Sequence, residues 1–165
     1  MRRARARVRR LRRGDRRALN DRPGKPAIGA TLADVADPAA IDRVFADVRA
    51  TLGGLDVLVN NAGIAGPAGG VDEIDPGDWE RTMSINLDAQ YRFARQAVPM
   101  LRDSAHGGSI IALSSVAGRL GYAFRTPYAA TKWAIVGLVK SLAIELGRPA
   151  SASTRFSPAS CAARA

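Results

Sequence analysis

A chain of 165 residues can hold one modest domain with a real core. It has no run of eighteen apolar residues and a single cysteine, Cys161, which excludes a membrane-spanning helix and an internal disulfide and points to a reducing, cytoplasmic setting. The formal charge of +10 suggests a nucleic-acid partner until its distribution is read: residues 1–22 hold eleven arginines against two aspartates, a net +9, while residues 23–147 hold eleven Lys/Arg against thirteen Asp/Glu, a net −2.

Residues 1–27 therefore read as an arginine-rich leader in front of a mildly acidic globular body. Ala4, Ala6, Val8 and Leu11 keep no helical period, which argues against an amphipathic membrane helix. Asp15, Asp21 and the absence of serine argue against a transit peptide. A basic nucleic-acid arm is the remaining functional reading. The composition favours a blander one, GC-rich DNA translated out of frame, because the arginines come with no lysine.

From Ile28 the pattern becomes orderly. Ile28 to Leu32 is expected to be a short strand, followed by Asp34. Asp37 with Pro38 behind it predicts a helix start. Ile41, Val44, Phe45, Val48 and Leu52 recur at helical spacing, and Gly53-Gly54 stop the run. Leu55 to Val59 is a nearly continuous apolar strand of the kind buried in a parallel sheet. Asn60-Asn61-Ala62-Gly63 follows at its carboxyl end, where open α/β sheets bind ligands. Asp75-Pro76-Gly77-Asp78 predicts a second capped helix from about Trp79 to Leu101, with Asn86 inside it.

His106-Gly107-Gly108 reads as a surface turn, so the lone histidine is given no role. Ser109 to Ser114 is the next strand. Ser115 to Pro127 is a loop in which Tyr122 and Phe124 are expected to wall a substrate pocket. Tyr128 to Leu146 is a helix apolar on most of its circumference, which requires burial on two sides. Within it Tyr128 and Lys132 stand four apart on one face, and an ammonium beside a phenol favours the phenolate. A hydroxyl such as Ser115, at the end of a strand, would hold the oxygen that the tyrosine protonates or deprotonates. No group of residues suggests a metal site.

Strand, helix and strand in alternation argue for an α/β doubly wound parallel sheet. The joint pattern of Ser115, Tyr128 and Lys132 (Ser-x12-Tyr-x3-Lys), with N-N-A-G upstream, resembles the short-chain dehydrogenase/reductase family, in particular its 3-ketoacyl-reductase-like branch. The resemblance runs from about Ile28 to Gly147. It implies a Rossmann-like domain and a hydride transfer between NAD or NADP and a small carbonyl or secondary alcohol. Tyr128 would be the general acid/base, Lys132 its activator and the contact to the nicotinamide ribose, Ser115 the orienter of the substrate oxygen, and Asn86 part of a proton relay. It also implies cofactor contacts at Asp34, Asn60, Ala62 and Gly63, and a homo-oligomer formed through the two long helices in an intact version.

Two segments depart from the resemblance. The family opens with a strand and a T-G-x-x-x-G-x-G turn that lets the pyrophosphate approach a helix N-terminus, and residues 1–33 hold no such spacing. Residues 148–165 resemble none of the family's later strands. If one nucleotide were lost in the codon of Gly147, the tail would decode to a pattern that P-A-G-I-R-V-N-A-I-L-P-G-V fits, which is the family's next strand and turn. The expected organisation is thus a leader over 1–27, a partial, incomplete Rossmann-like domain over 28–147 and a non-homologous tail. The alternative function is a frameshifted or inactive product that binds no cofactor; a basic nucleic-acid-binding protein is the remote one. With the first strands missing, the Leu55 strand is expected to present an unpaired apolar edge, and the chain by itself is not expected to fold as an active enzyme. Cofactor choice and substrate cannot be read from these residues.

Overall fold

The computed structural model describes residues 29–147 and the backbone of residues 160–164. Helix α1, Pro38–Leu52, starts where expected: Asp37 accepts from the Ala39 N–H and Pro38 occupies the first turn. It ends at Gly53, whose φ of 66° is the left-handed conformation that closes helices, with its N–H donated to Arg49 O. Strand β1 is Val57–Asn60. Asp75 accepts from the Gly77 N–H and opens α2, Pro76–Met83.

The long helix expected from Trp79 to Leu101 is instead three pieces. After α2 comes a π-helical turn, Ser84–Asp88, and then α3, Ala89–Arg102. One extra residue in a turn rotates the helix face, and here it drives Asn86 into the interior. Strand β2, Ser109–Ser115, leads through a 3₁₀ turn, Val116–Gly118, and an exposed loop to α4, Thr126–Gly147.

The sheet is parallel, in the order β1, β2, β3. Strand β3 is Ser160–Arg164, which pairs with β2 from Ile111 to Ser115. The tail, from which the sequence pattern promised nothing, supplies a strand because a parallel edge needs only backbone donors and acceptors. The rest of the tail, the leader and its possible nucleic-acid role, and Ile28 lie outside the described residues.

A second difference concerns the strand expected over Ile28–Leu32. Residues 29–33 run without regular structure, held to α1 by the Thr31 hydroxyl donating to Asp47 at 2.6 Å. A strand exists only through a ladder partner, and no described segment lies beside this one.

Register decides which face of the sheet is covered. Leu58 stands beside Ile110 and Asn60 beside Ala112, and these positions face the helices. Ile110 joins the main core with Ile41, Phe45, Phe93 and Leu101, whose α1 and α3 rings Phe45 and Phe93 meet at 5.7 Å. Ala112 packs on Ile135 and Val139 of α4. The intervening positions, Val57 and Val59 beside Ser109 and Ile111, face the other way, and Val57 and Val59 are 45% and 50% exposed. Among the described residues the helices cover one face of the sheet. Among the described residues β1 is an outer strand of the sheet. Helix α4 buries Ile135, Val139 and Leu146 against the sheet, yet Trp133 and Ile144 on its outer side remain exposed.

Candidate active site

The carboxyl ends of β1 and β2 deliver two loops to the same place, and α4 begins there. Between them lies a cleft of about 520 Å³, lined among others by Asn61, Gly63, Ser115, Tyr122, Tyr128 and Lys132. Its size suits a small organic ligand. Residues separated by up to 71 positions in sequence meet here because parallel strands carry every following loop to one edge of the sheet.

Lys132 is 6% exposed, and its Nζ donates to the carbonyl of Leu113 at 3.0 Å. The ammonium sits 5.5 Å from the centroid of the Tyr128 ring. The helical spacing expected of the pair is therefore realised as a direct cation and ring contact. Tyr122 stands edge-on to Tyr128, centroids 6.3 Å apart and planes at 74°. Ser115 is half-buried at the end of β2 and lines the cleft; its Oγ accepts from the Ala117 N–H at 3.2 Å and so starts the 3₁₀ turn.

Asn86 does not line the cleft; it stands behind it, 0% exposed. Its Oδ1 accepts from the Ile64 N–H at 2.8 Å, and its Nδ2 donates to Ile64 O at 3.0 Å and to Thr131 Oγ1 at 3.2 Å. One amide thus clamps the loop after β1 to α4 at the residue before Lys132. Gly63 is part of that closeness: a Cβ there would lie 3.1 Å from Asn86 Oδ1 and 3.7 Å from Lys132 Nζ.

Other expected contacts fall elsewhere. Asn60 is buried at the end of β1, where its Nδ2 donates to Gln90 O at 3.2 Å. Asn60 and Ala62 line a second, apolar groove beside β1 with Val35, Phe45 and Leu58. Asp34 is exposed outside the cleft, and its carboxylate accepts from the Ala36 N–H in a turn leading to α1. Phe124 does not wall the cleft. It has a φ of 58° and a 69% exposed side chain, while its carbonyl accepts from Gly69 N–H at 3.1 Å. His106 is exposed in its turn, as expected.

Four participants carried no sequence signal of their own. Ser114 donates to the carbonyl of Lys132 at 2.7 Å and ties β2 to α4. Thr131 both receives the Asn86 amide and donates to Tyr128 O. Arg125 lines the cleft and donates to Gly66 O at 2.9 Å. Gly118 lets the 3₁₀ turn lie directly on this junction, since a Cβ there would press on Ser114 Oγ and come 2.5 Å from Lys132 O.

Comparison with known proteins identifies the family. The short chain dehydrogenase family profile matches residues 11–151. The trans-4-hydroxycyclohexanecarboxylate dehydrogenase of Sinomonas cyclohexanicum is 47% identical over 95 residues, 58% of this chain and 36% of that protein. The 3beta-hydroxysteroid dehydrogenase of Mediterraneibacter gnavus is 38% identical over 112 residues, 68% of this chain and 40% of that one. Among solved structures, a 3-ketoacyl-ACP reductase from Sinorhizobium meliloti superposes with a TM-score of 0.76 at 33% identity, covering 82% of this chain and 55% of that chain. ElxO, solved with NADP bound, gives 0.67 at 30% identity, covering 72% and 47%. The chain thus spans well under two thirds of these relatives' own length. With the parallel sheet, the cleft at its carboxyl edge and the family profile in agreement, the chain belongs to the short chain dehydrogenase family of oxidoreductases.

Proposed function

We propose that this cleft performs an NAD- or NADP-dependent interconversion of a small ketone or aldehyde and its alcohol. The observation that carries the proposal is the meeting of Ser115, Tyr128 and Lys132 on one cleft, with the Lys132 ammonium 5.5 Å from the phenol ring. The residues present fit the nicotinamide end of such a cofactor. Gly63 leaves open the space beside Lys132 that a side chain would fill, and Asn61, Ser114 and Ser115 supply polar groups around it. When bound, the nicotinamide supplies or accepts the hydride.

The remaining chemistry belongs to this chain. The Tyr128 hydroxyl gives its proton to the carbonyl oxygen during reduction and takes it back during oxidation. Ser115 donates to the same oxygen and fixes its direction. Lys132, held beside the phenol ring, would bind the ribose hydroxyls. Asn86 positions Lys132 through Thr131 and holds Gly63-Ile64 in place, beside the relay that the family resemblance implies. Asp34, Asn60 and Ala62 would contact the adenine half of the nucleotide or support the strand beneath it. The exposed Trp133 and Ile144 on α4 fit a homo-oligomer contact, and a cytoplasmic setting fits the lone cysteine.

The test is a fluorescence titration with NADH and NADPH followed by turnover with a ketone panel. Saturable binding, with turnover removed by Tyr128→Phe and nucleotide affinity retained, is the result this reading expects, and it would overturn the expectation that the chain by itself is inactive. Turnover that survives Tyr128→Phe would sink the assignment. A second reading, a chain that keeps the site but does not load the nucleotide, is favoured by the exposed edge of β1, and the same titration separates the two.

A further inference from the structure

The cleft carries a charge that the roles of Ser115, Tyr128 and Lys132 leave unused. Its lining includes two cationic side chains, Lys132 and Arg125, and no aspartate or glutamate. Lys132 is committed to Leu113 O and to the Tyr128 ring. Arg125 is placed differently. It immediately precedes α4, and its carbonyl accepts from Ala129 N–H at 2.9 Å, so Arg125 and Tyr128 are one helical turn apart. At that spacing their Cβ atoms are about 5–6 Å apart on one side of the turn.

The Arg125 Nη1 donates to Gly66 O at 2.9 Å, which pins the guanidinium to the loop after β1 at the cleft. A guanidinium presents five N–H donors in a rigid fork, and a single carbonyl does not satisfy them. No carboxylate among the described residues reaches it. A fork fixed in direction, half-buried and facing a cleft without acids is suited to a carboxylate, which it can grip with two parallel bonds.

We propose that Arg125 binds an anionic group of the substrate, so that the cleft takes oxo and hydroxy acids whose carboxylate lies a few bonds from the carbon reacting at Tyr128. The proposal rests on the dehydrogenase reading above and names its substrate class. The shared chemistry of a nucleotide phosphate is the competing source of an anion at the same fork.

The experiment is calorimetric titration of the full chain, with and without NADH, using 4-oxopentanoate and its methyl ester, which differ in charge but hardly in shape. The acid is expected to bind at least about tenfold tighter than the ester. Arg125→Gln is expected to abolish that preference and leave NADH affinity unchanged, and Arg125→Lys to keep part of it. Equal affinity of acid and ester for the unaltered chain overturns the proposal without recourse to any variant. So does a preference that survives Arg125→Gln, which would assign the anion to Lys132, or a loss of NADH affinity in that variant, which would assign the fork to a phosphate. Tight ester binding without charge preference leaves the dehydrogenase reading standing; no binding of either ketone, with or without NADH, overturns the carboxylate assignment, and the dehydrogenase reading falls with it only if NADH and NADPH also fail to bind.

Discussion

The two sides of β1 show opposite economies of polar groups. At its carboxyl end the chain enters the cleft, where Asn86, Thr131, Ser114 and Lys132 are each held by named partners across three elements. Along its outer edge, among the described residues, lies an apolar groove floored by Phe45, Leu58 and Phe93, into which Val57 and Val59 add exposed surface. Gln90, which lines that groove and is 3% exposed, is the one described residue with buried side-chain polar atoms that find no partner, both ends of its amide. Among the described residues, pairing on one side and its absence on the other teach that the cleft is built to hold a geometry, while the packing beside β1 leaves an amide without a partner. A preorganised site needs its supporting hydrogen bonds before the ligand arrives, since a loose shell costs orientation in the reaction.

Breaking the satisfied side should cost most. Tyr128→Phe removes the proposed acid/base and should lower turnover by about 10²–10⁴-fold while urea melts stay close to those of the unaltered chain; a matching loss of stability would mean that the hydroxyl is structural. Asn86→Leu leaves the part-buried Ile64 N–H and carbonyl without their partner and should destabilise by about 1–3 kcal/mol. A chemical melt within about 0.5 kcal/mol of the unaltered chain would show that the clamp carries no weight.

Gly118→Ala should cost about 1–3 kcal/mol, because the added methyl meets Ser114 and the backbone of α4 with no flexible neighbour to yield. On the unsatisfied side the sign reverses. Gln90→Met replaces an unpaired buried amide by an apolar chain of similar length and should raise stability by about 1 kcal/mol. A destabilisation there would mean that the amide has a partner in solution and that the contrast between the two sides is false. Smallest of all, Val59→Lys on the exposed face should shift the melt by less than about 0.5 kcal/mol, while lowering the tendency of the free edge to associate, measured by light scattering.

What the sequence determined by itself was local or periodic. Asp37 and Gly53 mark the ends of α1, Asp75 the start of α2, and the apolar run after Gly108 strand β2, because caps and alternation act over a few residues. The family pattern brought Ser115, Tyr128 and Lys132 to attention before any distance was known, and the cleft contains all three.

Tertiary structure decided the rest. That Ile28–Leu32 is not a described strand, that the helix around Asn86 carries a π turn, and that Ser160–Arg164 adds a strand all depend on partners distant in sequence. The same holds for Asn60 and Ala62 facing the groove rather than the cleft, and for Arg125 facing the cleft through its bond to Gly66. Residue type and spacing state what a side chain can bind. Which partner it meets is set by how parallel strands and the helices on one face bring separate segments together, and no window of neighbouring residues contains that information.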